Sequence, residues 1–167
     1  QIIHRTDDIG APKVDSAARA IRALNPLTRV ETHDMPINAA NAEALIGSHD
    51  LVADGSDNFD TRFLVNDACH LLGRTLVSAA ILRFDGQVYT FASHRNREGP
   101  PGGPRLPCYR CLYPAPPPPG LIPSCSSGGI IGALAGMVGS LQALEVVKEL
   151  TGIGEGLAGR MLIIDAL

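Results

Sequence analysis

Apolar positions along the chain switch between two periods. Over residues 12–24, Val14, Ala17, Ala18, Ile21 and Leu24 fall three or four apart. That spacing predicts an amphipathic helix, stopped by Asn25-Pro26 and with Pro12 suited to its first turn. Residues 28–34 predict a short strand and 41–46 a short helix. Leu51–Ala53 is a short apolar strand that runs into Asp54-Gly55-Ser56-Asp57-Asn58. A helix is expected from Asp60 to Leu72, with Gly73 as its stop. Residues 75–81 form one run without charge, as expected of a strand buried on both faces. The alternation of strand and helix signals predicts an α/β domain with a mostly parallel sheet.

After residue 81 the pattern changes. Asp85-Gly86 separates two β-prone runs, Ile81–Phe84 and Gln87–Phe91, which signals a hairpin and antiparallel strands beyond it. Residues 93–123 hold 10 of the 13 prolines and four glycines, so this stretch predicts a long crossover loop, mobile over about 93–127. A long apolar helix over 130–150 ends at Gly152, and residues 160–165 predict a last strand. No charge occurs between Ile122 and Leu144, and Gly128, Gly132 and Gly136 have the small-residue spacing of membrane helices. Polar residues dilute that stretch, and Glu145, Lys148 and Glu149 cut it short of the roughly 20 apolar residues a bilayer needs. A buried or interfacial helix is expected instead, its glycines open to a partner subunit, as in a homodimer.

Composition narrows the classes. The chain has 167 residues with 45% hydrophobic and 19% charged, and its net charge is 14 − 17 = −3. Disorder along the whole chain and a basic nucleic-acid platform are both excluded on these grounds. The length suits one domain spanning 1–167. No apolar signal segment opens the chain, and the four cysteines are too few for a disulfide scaffold, so the expected compartment is the cytoplasm. The chain begins at Gln1 rather than Met and stops just after an apolar run, so it is expected to be part of a longer protein.

Four places carry candidate chemistry. Asp57 and Asn58 follow a strand and precede a helix, where open α/β sheets bind ligands. Asp57 there is either an oxygen ligand for Mg²⁺ or a plain turn residue, and Asn58 either contacts a ligand or caps the helix. Arg62 and Asn66, one helical turn apart, either brace that loop or pair on the surface. Lys13 sits in a first helical turn, where a cation opposes the helix dipole; it serves a bound phosphate or is simply solvated. Cys108-Tyr109-Arg110-Cys111 has the spacing of half a zinc site, with a redox pair or unligated thiols as rivals. Cys125 lies among serines before the long helix, a setting that lowers a thiol pKa, whereas Cys69 reads as a core residue.

Several motifs occur in a fixed order. They are Gly10-Ala11-Pro12-Lys13, Asn25-Pro26, Asp54-Gly-Ser-Asp57-Asn58 with Arg62 and Asn66, Pro107-Cys108-Tyr-Arg-Cys111-Leu112, Cys125, and Gly139 through Lys148. Together they resemble the bacterial members of the ubiquitin-activating-enzyme superfamily, the adenylyltransferases of molybdopterin and thiazole (thiamine) biosynthesis, across essentially the whole chain. The resemblance implies a Rossmann-like, mostly parallel sheet continued by antiparallel strands. It also implies ATP- and Mg²⁺-dependent adenylation of the C-terminal glycine of a small ubiquitin-like sulfur-carrier protein, ahead of thiocarboxylate formation, with a sulfurtransferase as a further partner. By this match Lys13 contacts the ATP phosphates, Asp57 binds Mg²⁺ or the nucleotide phosphates with Asn58 beside it, and Cys108 and Cys111 form half a structural Zn²⁺ site. Cys125 matches a loop cysteine that some members use for covalent sulfur or acyl chemistry. The Gly-rich nucleotide loop is expected before Gln1 and the second zinc Cys-x-x-Cys after Leu167, so this chain alone is expected to be inactive and to bind ATP poorly. The alternatives are a non-catalytic scaffold of the same fold that binds the carrier or dimerises, and a dinucleotide-binding oxidoreductase.

Overall fold

The structure is a computed structural model that describes residues 3–97, 105–118, 120–121 and 129–167. The chain forms two compact units, Gln1–Pro36 and Ile37–Leu167. In the first, a short 3-10 turn (Thr6–Asp8) precedes helix α1 (Lys13–Leu24). Pro12 is the residue that caps α1 rather than one inside its first turn. The Arg22 guanidinium donates to the Val30 carbonyl at 3.0 Å and holds the chain that follows. Residues 28–34 pair with no strand among the described residues. An extended segment becomes a strand only when a neighbouring strand takes up its N–H and C=O groups, and among the described residues none does. The apolar stripe of α1 is only partly used, for Ala18 is buried while Leu24 is 86% exposed.

The second unit is a four-stranded sheet with helices on both faces. Its elements are α2 (Ala42–Gly47), β1 (Leu51–Asp54), α3 (Phe59–Leu72), β2 (Thr75–Leu82), β3 (Asp85–Phe91), a 3-10 turn (Ser93–Arg97), α4 (Tyr109–Leu112), α5 (Gly132–Thr151) and β4 (Met161–Asp165). The strand order is β1-β2-β3-β4. β1 and β2 are parallel, and β3 and β4 continue the sheet antiparallel. Parallel pairing among the described strands is thus confined to one pair, and the change to antiparallel comes at the β2–β3 hairpin.

Alternation along the strands sorts the core into two layers. Leu76, Tyr89 and Phe91 face α2, α3 and α4, packing with Ile46, Phe63, Cys69 and Tyr109. Ala79 and Val88 face α5, packing with Leu134 and Val138. Both α3 and α5 end on a left-handed glycine, Gly73 and Gly152, each at φ 70°. The hairpin turn is not Asp85-Gly86. Leu82 pairs with Asp85, so the turn is Arg83-Phe84, with Arg83 at φ 55°, and Gly86 lies inside β3 opposite Ile164. A Cβ on Gly86 would stand 2.6 Å from Val138 Cγ2. The glycine therefore admits α5 against the sheet and is not there for the turn.

The described residues of the Pro-rich crossover include short helical turns. These are the 3-10 turn and α4, and the Asn96 side chain exchanges two 2.8 Å hydrogen bonds with the Leu106 backbone. Residues 98–104 and 122–128, including Cys125 and Gly128, lie outside the described residues. Among the described residues no helix is long and apolar enough to cross a membrane.

Candidate functional site

The loop at the carboxyl end of β1 is fixed by its own neighbours. Asp54 is buried, and its carboxylate accepts from the Ser56 N–H at 2.9 Å and the Ser78 hydroxyl at 3.0 Å. Its carbonyl accepts from the Gln142 amide on α5 at 2.9 Å, and the same amide reaches the Val77 carbonyl at 3.0 Å. Asn58 caps α3, its side-chain oxygen accepting from the Thr61 N–H at 2.8 Å. Arg62, one turn into α3, donates to the Ser56 carbonyl and to the Ala79 carbonyl at 3.1 Å. Thus Arg62 does brace the loop, and Asn58 takes the capping role.

Asp57 stands apart from this lattice. It is exposed, and its carboxylate makes no hydrogen bond or ion pair among the described residues. It lies on the seam of two clefts on opposite faces of the sheet, which share Asp57, Arg62 and Ile81. The cleft on the α3–α4 side measures about 600 Å³ and the one on the α5 side about 220 Å³. Unpartnered carboxylate oxygens at such a seam fit a hard divalent cation such as Mg²⁺.

The larger cleft has an aromatic wall. Tyr109 and Tyr113 come from α4 and the residue that caps it, and Tyr89 comes from β3. Tyr109 packs on Phe63 at 5.2 Å and on Tyr113 at 4.9 Å between ring centres. The Tyr89 and Tyr113 hydroxyls are 2.9 Å apart, and Tyr89 also donates to Gln87. Burial raises the ionisation of both Tyr89 and Tyr109 above the usual phenol range, so near neutral pH these hydroxyls serve as hydrogen-bonding groups.

Asn66 does not brace the Asp57 loop. It is buried and turned toward α4, its side-chain oxygen accepting from the Tyr109 N–H at 2.8 Å. Its amide donates to the neighbouring Asp67 at 3.1 Å. Asp67 accepts two 2.7 Å hydrogen bonds from the Arg110 guanidinium, which holds its carboxyl below the usual carboxylate range. The same guanidinium lies 4.7 Å over the Phe63 ring.

The Cys108 and Cys111 sulfurs stand 3.6 Å apart across the start of α4. A disulfide would need about 2.05 Å. Two thiolates on one tetrahedral zinc at ~2.3 Å each stand about 3.8 Å apart, so the pair fits zinc. Among the described residues no group of three or more His, Cys, Asp or Glu side chains is placed to hold a metal. Cys69 is buried in the core, where burial pushes its thiol up to about 12 and leaves it inert. Lys13 lies in the other unit at the start of α1, exposed, its ammonium without a partner among the described residues.

Sequence reasoning passed over Gln142, Gln87, Tyr89, Asp67 and the bond from Asn66 to α4. One signal was available, since Tyr109 and Tyr113 stand four apart beside the cysteine pair.

The model of the ThiF family matches residues 1–167. The chain is 50% identical, over its whole length, to the sulfur carrier protein adenylyltransferase of Thermus thermophilus, of which it spans 60%. It is 46% identical to the probable adenylyltransferase/sulfurtransferase MoeZ of Mycobacterium tuberculosis, of which it spans 41%. The crystal structure of selenomethionine PaaA shares the fold, with a TM-score of 0.68 at 20% identity over 99% of this chain and 47% of that one. The chain thus spans three-fifths or less of these proteins.

Proposed function

The chain belongs to the ThiF family, and from that membership we propose that it forms the catalytic part of an adenylyltransferase acting on the C-terminal carboxylate of a small ubiquitin-like sulfur-carrier protein. One observation carries this reading: the unpartnered Asp57 carboxylate on the seam of the two clefts. The reaction joins two anions. A carboxylate oxygen of the carrier attacks the α-phosphorus of ATP, the bond to the β-phosphate oxygen breaks, and pyrophosphate leaves. Cations must offset the repulsion and the charge on the leaving group. Asp57 would hold Mg²⁺, which supplies that neutralisation when bound. Lys13 would contact the ATP phosphates. Arg62 fixes the loop that aims Asp57, and Asn58 starts the helix behind it.

The larger cleft would take the carrier's extended tail. Its aromatic wall and hydroxyl chain suit a peptide backbone without bulky side chains. The adjoining sheet face supports a folded partner beside the tail. Met161 and Ile163 pair with Tyr89 and Gln87, so they share the face that floors the cleft, and they are 41% and 59% exposed. We assign Cys108 and Cys111 to a structural zinc site and Cys125 to sulfur or acyl chemistry on the crossover. A homodimer is supported by Met137, Leu144 and Val147, exposed along α5. Molybdopterin and thiamine biosynthesis are the proposed settings, and the cytoplasm the proposed compartment.

The test is carrier-dependent exchange of pyrophosphate into ATP by the complete protein. Asp57→Ala is expected to lower it by at least about 10³-fold. Because Asp57 has no partner, folding stability should stay within about 0.5 kcal/mol. No exchange with any ubiquitin-like carrier would remove the proposal.

A further inference from the structure

Helix α4 is four residues long, too short to hold itself in place. Its position is set by side chains about 43 residues earlier in the chain. Asn66 takes the Tyr109 N–H, a helix-start donor that would otherwise be buried unpaired. Asp67 takes Arg110 in a two-point bond, and Phe63 lies beneath that guanidinium. All three groups sit on α3, and none of them lines the polar seam at Asp57 except through Phe63 at the cleft wall.

We propose that Asn66 and Asp67 are positioning residues that hold the aromatic wall of the larger cleft, and that they set affinity for the carrier tail without affecting ATP. The inference rests on the proposed adenylation of a carrier. The geometry separates the two substrates. Tyr109 and Tyr113 follow α4, so a loosened α4 widens the cleft by moving one wall. The loop that carries Asp57 is held by the Asp54–Ser56 bond and by Arg62, whose two backbone anchors on the β1 loop and β2 do not pass through α4, although its guanidinium also interacts with Tyr109. Losing the latch should therefore raise the KM for the carrier and spare both kcat at saturating carrier and the KM for ATP. A merely structural role would move all three together.

Asn66→Ala and Asp67→Ala in the complete protein test this. Asp67 is partly exposed whereas Asn66 is buried, so Asp67→Ala is the variant that decides if Asn66→Ala does not fold. Pyrophosphate exchange gives the kinetic constants, and amide hydrogen exchange without substrates reports on residues 105–113. The expected result is a rise of about five- to twentyfold in carrier KM, ATP KM within about twofold, and faster amide exchange at α4. Equal rises in both KM values, or unchanged amide exchange at α4 in both variants, would overturn the proposal. Wild-type protein without carrier-dependent exchange would sink the adenylation reading instead, and the amide exchange would still decide whether Asn66 and Asp67 hold the wall.

Discussion

The two walls of the larger cleft are held by different means. The Asp57 wall is anchored within its own neighbourhood: Asn58 caps α3, Arg62 reaches back six residues, and Asp54 ties to Ser56 and Ser78. The α4 wall has few local bonds. It depends on Asn66, Asp67 and Phe63, and on two cysteines suited to a metal. One wall is built into the sheet, and the other is fastened onto α3. The difference matters for chemistry, because the wall that would carry the reacting charges is rigid by construction, whereas the wall facing a large partner can be adjusted through a few bonds.

Breaking the built-in wall should have the largest effect. Asp54→Ala leaves the Ser78 hydroxyl and the Ser56 N–H without their acceptor in a buried place. The expected cost is about 2–3 kcal/mol, read from the urea midpoint, with activity falling in parallel. The packing of α5 on the opposite face of the sheet comes next. Gly86→Ala drives a methyl toward Val138, a stiff β-branched neighbour, and should cost about 1–2 kcal/mol by the same measurement. Chelation should then separate the two walls. With zinc on Cys108 and Cys111, its removal is expected to speed amide exchange of 108–113 by about tenfold and to leave 54–62 unchanged. Equal change in both segments would erase the distinction.

The smallest effect concerns pH. Arg110 lowers the Asp67 carboxyl below its ordinary 3.8, so the pair's stabilisation is complete above that value. It is lost as the pH falls through the lower folded value. Wild type should melt about 1–2 °C above Asp67→Asn at neutral pH, with the gap closing as the pH drops below 3.8.

This contrast also governs what the sequence discloses. The β1 strand, the Asp57 loop, the Asn58 cap and α3 are local features, and their periodicity and capping chemistry mark them within a dozen residues. The latch between Asn66 and Tyr109 spans 43 residues, and no spacing rule connects them. Asp85-Gly86 shows the same limit from another side. The dipeptide signals a turn, yet it lies in a strand because α5, some fifty residues on, presses against Gly86. Residues 28–34 fail for a related reason, since β-propensity supplies a strand only where a neighbour completes the ladder.

Helix α3 carries both walls, with Asn58 at its start and Asn66 and Asp67 in its third turn. At about 1.5 Å per residue, these attachment points are roughly 12 Å apart. The helix is thus a ruler for the width of the opening. The crossover can lengthen, shorten or accumulate proline without changing that width, so long as one turn still reaches the same marks. A one-residue insertion inside α3 has the opposite character, for it rotates the far marks by about 100° and takes the second wall with them.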